Sequence, residues 1–382
     1  MRKGETPEVR VLHINCNYLT TPLHQTMIEH LDAVGIKNTV IAPTSNAKDR
    51  AIVPNKNVFP AECFKRQDRF LFHIKQAKII RAVKNLVQVT DYDVIHAYTL
   101  FTDGNSAYEL SRQYGIPYVV AVRNTDFNFF SIRINLRQRG IKILENASVV
   151  FFMSEIARNK FIDSYVPESK RQRILQKCRV VPNGIDDFWI KNKYTQRSLE
   201  QTAERISHKD LQVICVARII RQKNIPRLQE ALNLLRADGW NVRLTVVGKI
   251  VDQDEFDIIQ KDVNSVYHAP VSKDKLIDLY READIFVLPS HGETFGLVYA
   301  EAMSQALPVV YTQGEGFDGQ FPEGYVGYHT VSESAEDIAN KIKMICENYM
   351  VLGNNCVKAV DRFLWNDICA EYKNIYENMI DQ

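Results

Sequence analysis

Long apolar runs are missing from this 382-residue chain. Nowhere does it approach the roughly 20 consecutive apolar residues that a membrane-spanning helix needs, so a transmembrane protein is not expected. The opening stretch, MRKGETPEVRVLHI, has no apolar signal core ahead of its first strand-like run, and export is not expected either. Paired cysteines are missing too. The seven present (Cys16, Cys63, Cys178, Cys215, Cys346, Cys356 and Cys369) are odd in number, scattered and never spaced as CxxC. That pattern excludes a zinc-ribbon site and a disulfide framework. Cys215, inside VICVAR, reads as a small apolar residue. Together these absences predict a cytoplasmic chain without a structural metal.

A strong net charge is also lacking, at +2 overall, but its distribution is uneven. Residues 1–185 carry 27 Lys and Arg against 16 Asp and Glu, so the remainder has nine more anions than cations. A basic half joined to an acidic half suggests two domains with different partners, and the length exceeds one ordinary core. No recognised nucleic-acid-binding signature accompanies the basic half. A phosphorylated acceptor fits it better, as does peripheral contact with an anionic membrane at its inner face.

Along the chain, apolar runs with strand character alternate with helical patterns. Strands are expected at residues 9–15, 38–42, 94–97, 118–122, 149–153 and 179–181, and helices at 23–34, 68–89 and 104–114, with another from 154. Residues 44–67 read as loop, and Asp68 as the cap of the long helix. The pattern restarts with a strand at 211–217, a helix at 226–238 and a strand at 242–247. Such alternation implies parallel sheets with helical crossovers. The expected domains are residues 1–188 and 189–364, with the polar stretch 190–209 as linker. A last helix, 365–382, carries Ile368, Tyr372, Ile375, Tyr376 and Met379 at helical spacing and is expected to pack back on the first domain.

The most informative stretch is ADIFVLPSHGETFGLVYAEAMSQALPVV, residues 283–310. A short apolar strand ends at Pro289, a polar loop with Gly292 and Gly296 follows, and a helix (about 297–305) and a second strand (307–310) close the unit. This is the layout in which α/β proteins hold a phosphorylated ligand at a strand's carboxyl end, facing free N–H groups of a helix start. Glu293 lies at the loop mouth. Glu301 lies on the helix amid apolar neighbours, where a carboxylate needs a partner such as a sugar hydroxyl. By contrast, Asp91-Tyr92-Asp93 precedes a strand and reads as a turn rather than a metal site.

VVPNGID at 180–186, ARIIRQKN at 217–224, LYREADIFVLPS at 279–290 and the Glu-x7-Glu pair occur in an order that resembles the retaining GT-B glycosyltransferases of family 4, the glycosyl transferases group 1. The resemblance implies an α/β fold of GT-B type, with two Rossmann-like domains facing across a cleft, the N-terminal one on the acceptor side and the C-terminal one on the donor side. It implies transfer from a nucleotide diphosphate sugar, as co-substrate rather than cofactor, to a saccharide or lipid-linked saccharide, in cell-surface polysaccharide or glycolipid assembly. Carried over by position, Arg218 and Lys223 grip the donor diphosphate without metal. Glu293 contacts the donor sugar, the backbone of Thr294, Phe295, Gly296 and Leu297 approaches sugar and phosphate, and Glu301 accepts from the ribose hydroxyls. The base is placed, by position only, near Lys249 and residues 267–271.

The first domain departs from the family pattern. The loop after its first strand, residues 15–22, has no glycine, and Arg123 stands where a cleft histidine is usual, with Asp126 retained. Arg123 and Asp126 are expected to position substrate; no catalytic base is assigned. Lys75, Lys78, Arg81 and Lys84, with Arg133, Arg137, Arg139 and Lys142, form either a solvated face or a surface for acceptor or membrane. Two other functions are the alternatives: a nucleotide-sugar epimerase of the same two-domain architecture, which would lack the Arg218/Lys223 and PNGID context, and a catalytically silent sugar-nucleotide-binding protein, which the altered Arg123-Asn124 turn allows.

Overall fold

A computed structural model of the chain describes residues 8–46, 56–194 and 198–380. They fall into two compact units. The first takes in described residues up to 153, 158–184 and those from 365; the second takes in 154–157 and 185–364.

The first unit is built on seven parallel strands: β1 (Arg10–Ile14), β2 (Lys37–Thr44), β3 (Val58–Glu62), β4 (Val94–Ala97), β5 (Tyr118–Ala121), β6 (Val149–Phe152) and β7 (Cys178–Val180). Their order is β3-β2-β1-β4-β5-β6-β7, so the direction of winding reverses between β1 and β4. Alternate side chains feed opposite faces of the sheet, as the pleat requires. Leu12, Ile14, Ile95, Val120 and Val150 join one cluster with Ile79 and Val83 of α2 (Phe72–Leu86; α1 is Pro22–Ala33), Leu110 of α3 (Thr102–Tyr114), Phe130 of α4 (Asn124–Ile132) and Leu144 of α5 (Arg137–Asn146). Val11, Val94, Val119 and Phe151 join another, covered by α1 and by the C-terminal helix Trp365–Ile380. That helix buries Trp365, Ile368, Cys369, Tyr372 and Tyr376, and Tyr376 Oη lies 2.6 Å from His96 Nδ1.

Three expectations need correction here. Residues 44–67 are not all loop: β3 runs through Pro60, which is tolerated because β3 is the sheet's edge. The helix expected over 68–89 spans only Phe72–Leu86. Asp68 does not cap it; its carboxylate accepts the Lys65 N–H and pairs with Lys78 at 2.6 Å, closing a separate turn before the helix.

The second unit has six parallel strands: β8 (Asp210–Val216), β9 (Asn241–Val247), β10 (Ser265–His268), β11 (Ile285–Val287), β12 (Val309–Thr312) and β13 (Gly327–Thr330). The order β10-β9-β8-β11-β12-β13 reverses between β8 and β11. Asp284 helps fix that pairing: fully buried, it accepts the Gln212 N–H at 2.8 Å and meets Arg205 at 2.5 Å. Arg205 belongs to the helix Leu199–Ser207, inside the stretch expected as linker. Leu199 and Ile206 are the buried side of that helix, so its polar composition marks an outer face rather than a tether. The division between units accordingly falls after residue 184, not 188. The strand expected from 307 starts at Val309, because Ala306 is left-handed (φ +63°) and the chain is still turning there. Among the described residues, no helix is long and apolar enough to cross a membrane.

Candidate functional site

In open parallel sheets, ligands bind beyond the carboxyl ends of the strands where the winding reverses. In the second unit that place is the ends of β8 and β11, and the sequence motifs converge there. After β8 the chain forms a short turn, Arg221–Lys223, closed by Asn224 in the left-handed region (φ +55°). The Asn224 amide donates to the Pro289 carbonyl at 3.1 Å and to the Ser332 carbonyl at 2.7 Å. The His291 N–H donates to the Gln222 carbonyl at 2.7 Å. These bonds stitch the ARIIRQKN turn to the loop after β11.

Across that seam Lys223 Nζ lies 2.5 Å from Glu293 Oε2, with side chains only 18% and 14% exposed. The other carboxylate oxygen accepts the Thr294 N–H at 3.1 Å. The loop is fixed from behind as well: Gly316 N–H donates to the Glu293 carbonyl at 3.0 Å. A Cβ on Gly316 would sit 2.0 Å from the Thr294 carbonyl oxygen, so only glycine allows this approach. Gly296, at φ +77°, turns the chain into the helix Leu297–Ser304. Among the described residues no side chain caps that helix; the Tyr299 N–H turns back to the Gly296 carbonyl at 3.0 Å, which leaves the N–H groups of Leu297 and Val298 to a ligand or solvent.

Each residue expected at the site can now be placed. Lys223 and Glu293 meet directly. Thr294 and Leu297 are half-buried in the loop and the first helical position. Phe295 is buried, its ring 5.5 Å from that of Phe363, so its side chain serves the core and only its backbone is offered. Arg218 is exposed just past β8 and makes no ion pair among the described residues. Glu301 has different neighbours from Glu293. It stands among Lys273, Asp186, Trp189 and Tyr280, and burial pushes its carboxyl up to about 7. The Tyr280 hydroxyl, itself buried, faces it without hydrogen-bond geometry.

Several residues at the site went unassigned from sequence. Asp186, the last residue of VVPNGID, accepts the Phe188 N–H at 2.9 Å and caps the short helix Asp187–Lys191. That helix brings Trp189 against Tyr280, ring centroids 5.6 Å apart, beside Glu301. Lys273, from another helix, pairs with Asp186. An aspartate followed by Asp-Phe-Trp-Ile is a readable helix start, whereas nothing local marks Asn224 or Lys273. An open cavity of about 670 Å³ adjoins the same turn, lined by Arg221, Gln222, Val251, Asp252, Asp254 and His291. Tyr267, placed near the base by position, uses its hydroxyl on the Gly248 carbonyl (2.8 Å) and its ring on Phe256. Lys249 is exposed.

In the first unit, the buried Asp126 spends its carboxylate on the backbone N–H groups of Arg123 (2.8 Å), Leu100 (3.1 Å) and Phe101 (3.3 Å). Burial pushes it up to about 7 in spite of those bonds. It therefore caps α4 and holds the turn after β4. The Arg123 side chain runs inward, its Nε 3.4 Å from the Tyr98 carbonyl. His13 and His24 are buried in the same region, their basicity lowered by burial to about 4 and about 3. In the glycine-free loop, Tyr18 and Leu19 are buried in a single turn. Two fully enclosed polar atoms nearby, Asn15 Nδ2 and His24 Nδ1, have no hydrogen-bond partner among the described residues.

Comparison with known proteins gives the family and the fold. Residues 196–361 match the family model for glycosyl transferases group 1, and residues 25–187 match that for glycosyltransferase family 4. The chain is 24% identical over 245 residues to the capsular polysaccharide biosynthesis glycosyltransferase CapM of Staphylococcus aureus, covering 62% of this chain and 63% of CapM, just under two thirds of it. Over 344 residues it is 24% identical to the alpha-monoglucosyldiacylglycerol synthase of Acholeplasma laidlawii, covering 85% and 84%. The fold is similar to that of HepE from Anabaena in a crystal structure with UDP-glucose, at TM-score 0.67 and 17% identity, covering 96% and 99%.

Proposed function

The chain is a GT-B glycosyltransferase of family 4, and from that premise we propose that it moves a sugar from a nucleotide diphosphate sugar to a saccharide or lipid-linked saccharide, with retention at the anomeric carbon. The observation that carries this is the loop after β11, held against the turn after β8 by Asn224 and by the Lys223–Glu293 pair. A diphosphate arriving there meets Arg218, Lys223 and the open helix start at Leu297. These are the charges that a departing nucleoside diphosphate needs, supplied without metal. As the diphosphate takes hydrogen bonds from Lys223, Glu293 is released to accept from sugar hydroxyls. Glu301, beside Trp189, accepts from the ribose.

In the proposed transfer, the acceptor oxygen attacks the anomeric carbon on the face the phosphate leaves. The bond from that carbon to the diphosphate oxygen breaks as the new glycosidic bond forms. The acceptor proton passes to a departing phosphate oxygen, so no protein base is required. The chain's own work is positioning and charge stabilisation. For the acceptor, assembly of a cell-surface polysaccharide or glycolipid is the context, supported by the names of CapM and the diacylglycerol enzyme and by the basic first half. Cytoplasmic action with peripheral contact to the inner membrane face belongs to the same proposal.

The test is incubation with UDP-, GDP- and ADP-sugars, with and without lipid-linked acceptors, following nucleoside diphosphate release. One donor is expected to be consumed faster with an acceptor present, undiminished by chelator, giving a product with the donor's anomeric configuration. Absence of release from every donor, with no nucleotide binding by calorimetry, would overturn the proposal.

A further inference from the structure

A second cavity lies wholly within the first unit, in the groove between α2 and α3. Its volume is about 820 Å³, ample for a phosphorylated sugar or a lipid head group. Two helices on one face of a sheet ordinarily meet through apolar side chains, and Ile79 and Val83 do so with Ala107 and Leu110 below. Above them the floor is polar. Gln76 and Asn105, each 3% exposed, are joined by a bond of 3.0 Å from Asn105 Nδ2 to Gln76 Oε1. Asn105 Oδ1 in turn accepts from Arg139 Nε at 2.6 Å.

The walls are cationic. Glu109 pairs with both Arg139 and Arg112; Arg139 is fixed at the groove by Glu109 and Asn105 together, and Arg112, at 3.0 Å and more exposed, is drawn to the same carboxylate, with N–H donors to spare. From the opposite wall come Arg81 and Lys84, one helical turn apart and exposed. Arg81 makes no ion pair among the described residues. Four cations thus surround one carboxylate. A merely solvated face would leave long side chains loose, but here a buried amide and a shared carboxylate order half of them.

We infer that this groove is a binding site for a phosphate-bearing anion, separate from the loop after β11. Fixed guanidinium forks match phosphate oxygens in geometry, and an excess of three positive charges suits a dianion or a diphosphate. Two sources share that chemistry. One is a soluble phosphorylated saccharide. The other is an anionic lipid head group, favoured by Phe70, Leu71 and Ile74, which are 61%, 53% and 48% exposed at the end of α2 where the groove begins at His73.

The experiment compares wild type with Arg81→Gln/Lys84→Gln, and with Gln113→Glu, which adds an anion beside Lys84 and removes no cation. Calorimetry with inorganic pyrophosphate, run with the loop after β11 saturated by nucleoside diphosphate, reports the soluble arm, and flotation with phosphatidylglycerol against phosphatidylcholine vesicles reports the lipid arm. At least a tenfold loss in both variants is expected in one or both arms, shrinking with added salt. Loss of pyrophosphate binding alone identifies a soluble phosphate, and loss of vesicle binding identifies a head group. Nucleotide binding by the same proteins is expected to be unchanged, which separates this site from the donor loop. Pyrophosphate and vesicle binding equal to wild type in both variants, or absent from wild type, would refute the inference.

Discussion

Glu301 allows the sharpest test of the donor site, because its protonation state changes within an accessible pH range. Burial pushes its carboxyl up to about 7. If ribose hydroxyls donate to it, nucleotide binds the ionised form, and below pH 7 the proton must first be removed. With a pKa of about 7, the protonated share at pH 6 weakens binding about elevenfold, whereas at pH 8 the effect is about 1.1-fold. The affinity of wild type should therefore rise about tenfold from pH 6 to pH 8, over and above any change due to the diphosphate's own ionisation. Glu301→Gln provides that reference, since the diphosphate titrates identically against both proteins. Stability should run the other way. A carboxyl raised in the folded state favours folding least when ionised, so its cost grows as pH rises from the unfolded value through about 7. It levels off near 3 kcal/mol as an order of magnitude. Glu301→Gln should then stabilise the second unit at pH 8 and do little at pH 4. Calorimetric titration across pH 5.5–8.5 and urea unfolding at pH 4 and 8 measure both effects. Parallel pH profiles for wild type and Glu301→Gln would refute the ribose assignment.

Other substitutions separate binding from architecture. Lys223→Ala removes a charged hydrogen bond and should weaken nucleotide binding ten- to a hundredfold by calorimetry, about 1.5–3 kcal/mol. Asn224→Ala loses two hydrogen bonds and puts a Cβ-bearing residue without a compensating side chain in the left-handed region; about 3 kcal/mol of stability should disappear from the second unit, read as a lower urea midpoint. Asp126→Ala should destabilise the first unit by about 3 kcal/mol, because three N–H groups, two of them in buried bonds, lose their acceptor, while nucleotide binding stays at the wild-type level. Ending the chain before Trp365 strips five buried side chains from the first unit, at about 2 kcal/mol each. That matches the whole stability of a typical domain, so circular dichroism should show the unit unfolded.

Most strands of both sheets were legible because parallel strands are covered on both faces and so read as unbroken apolar runs, whereas β10 and β13, the half-exposed edges of the second sheet, were not expected. Where that signal fades, the reading fades with it. β3 carries Pro60 at an edge, and a proline inside a run argues against a strand unless the edge is known. NTDFNFFSI, the sequence of α4, is rich in aromatics and has little of the polar face that marks an amphipathic helix. The helix at 199–207 buries only Leu199 and Ile206, too few to stand out from a polar linker. At the site, Glu293, Gly296 and Glu301 share one local motif and were visible together. Asn224 was not, since its partners lie 65 and 108 residues away. Asp126 illustrates the converse: its position beside a strand end suggested substrate, but its oxygens are occupied by the backbone.

The two carboxylates of the motif also explain how an acidic pair can sit where a diphosphate is proposed to bind. Two bare carboxylates would repel a dianion at close range, at a cost that rises as water is excluded. Neither is bare. Glu293 is neutralised by Lys223, and Glu301 holds its proton up to about pH 7. Arg218 and the uncapped start of the helix at Leu297 therefore set the sign of the field that an approaching nucleotide meets. Only when the diphosphate draws on Lys223, and the ribose offers hydroxyls to Glu301, do the carboxylates gain a use for their charge. A free diphosphate without ribose or sugar would engage the cations and leave Glu301 protonated. On this account Glu301→Gln, made in the Arg81→Gln/Lys84→Gln background so that the groove between α2 and α3 is weakened, should lower nucleotide affinity above pH 7 while leaving pyrophosphate affinity the same as in that background at every pH. A pyrophosphate affinity that follows Glu301 would mean the carboxyl senses the phosphates directly, and the division of labour between the two glutamates would fail.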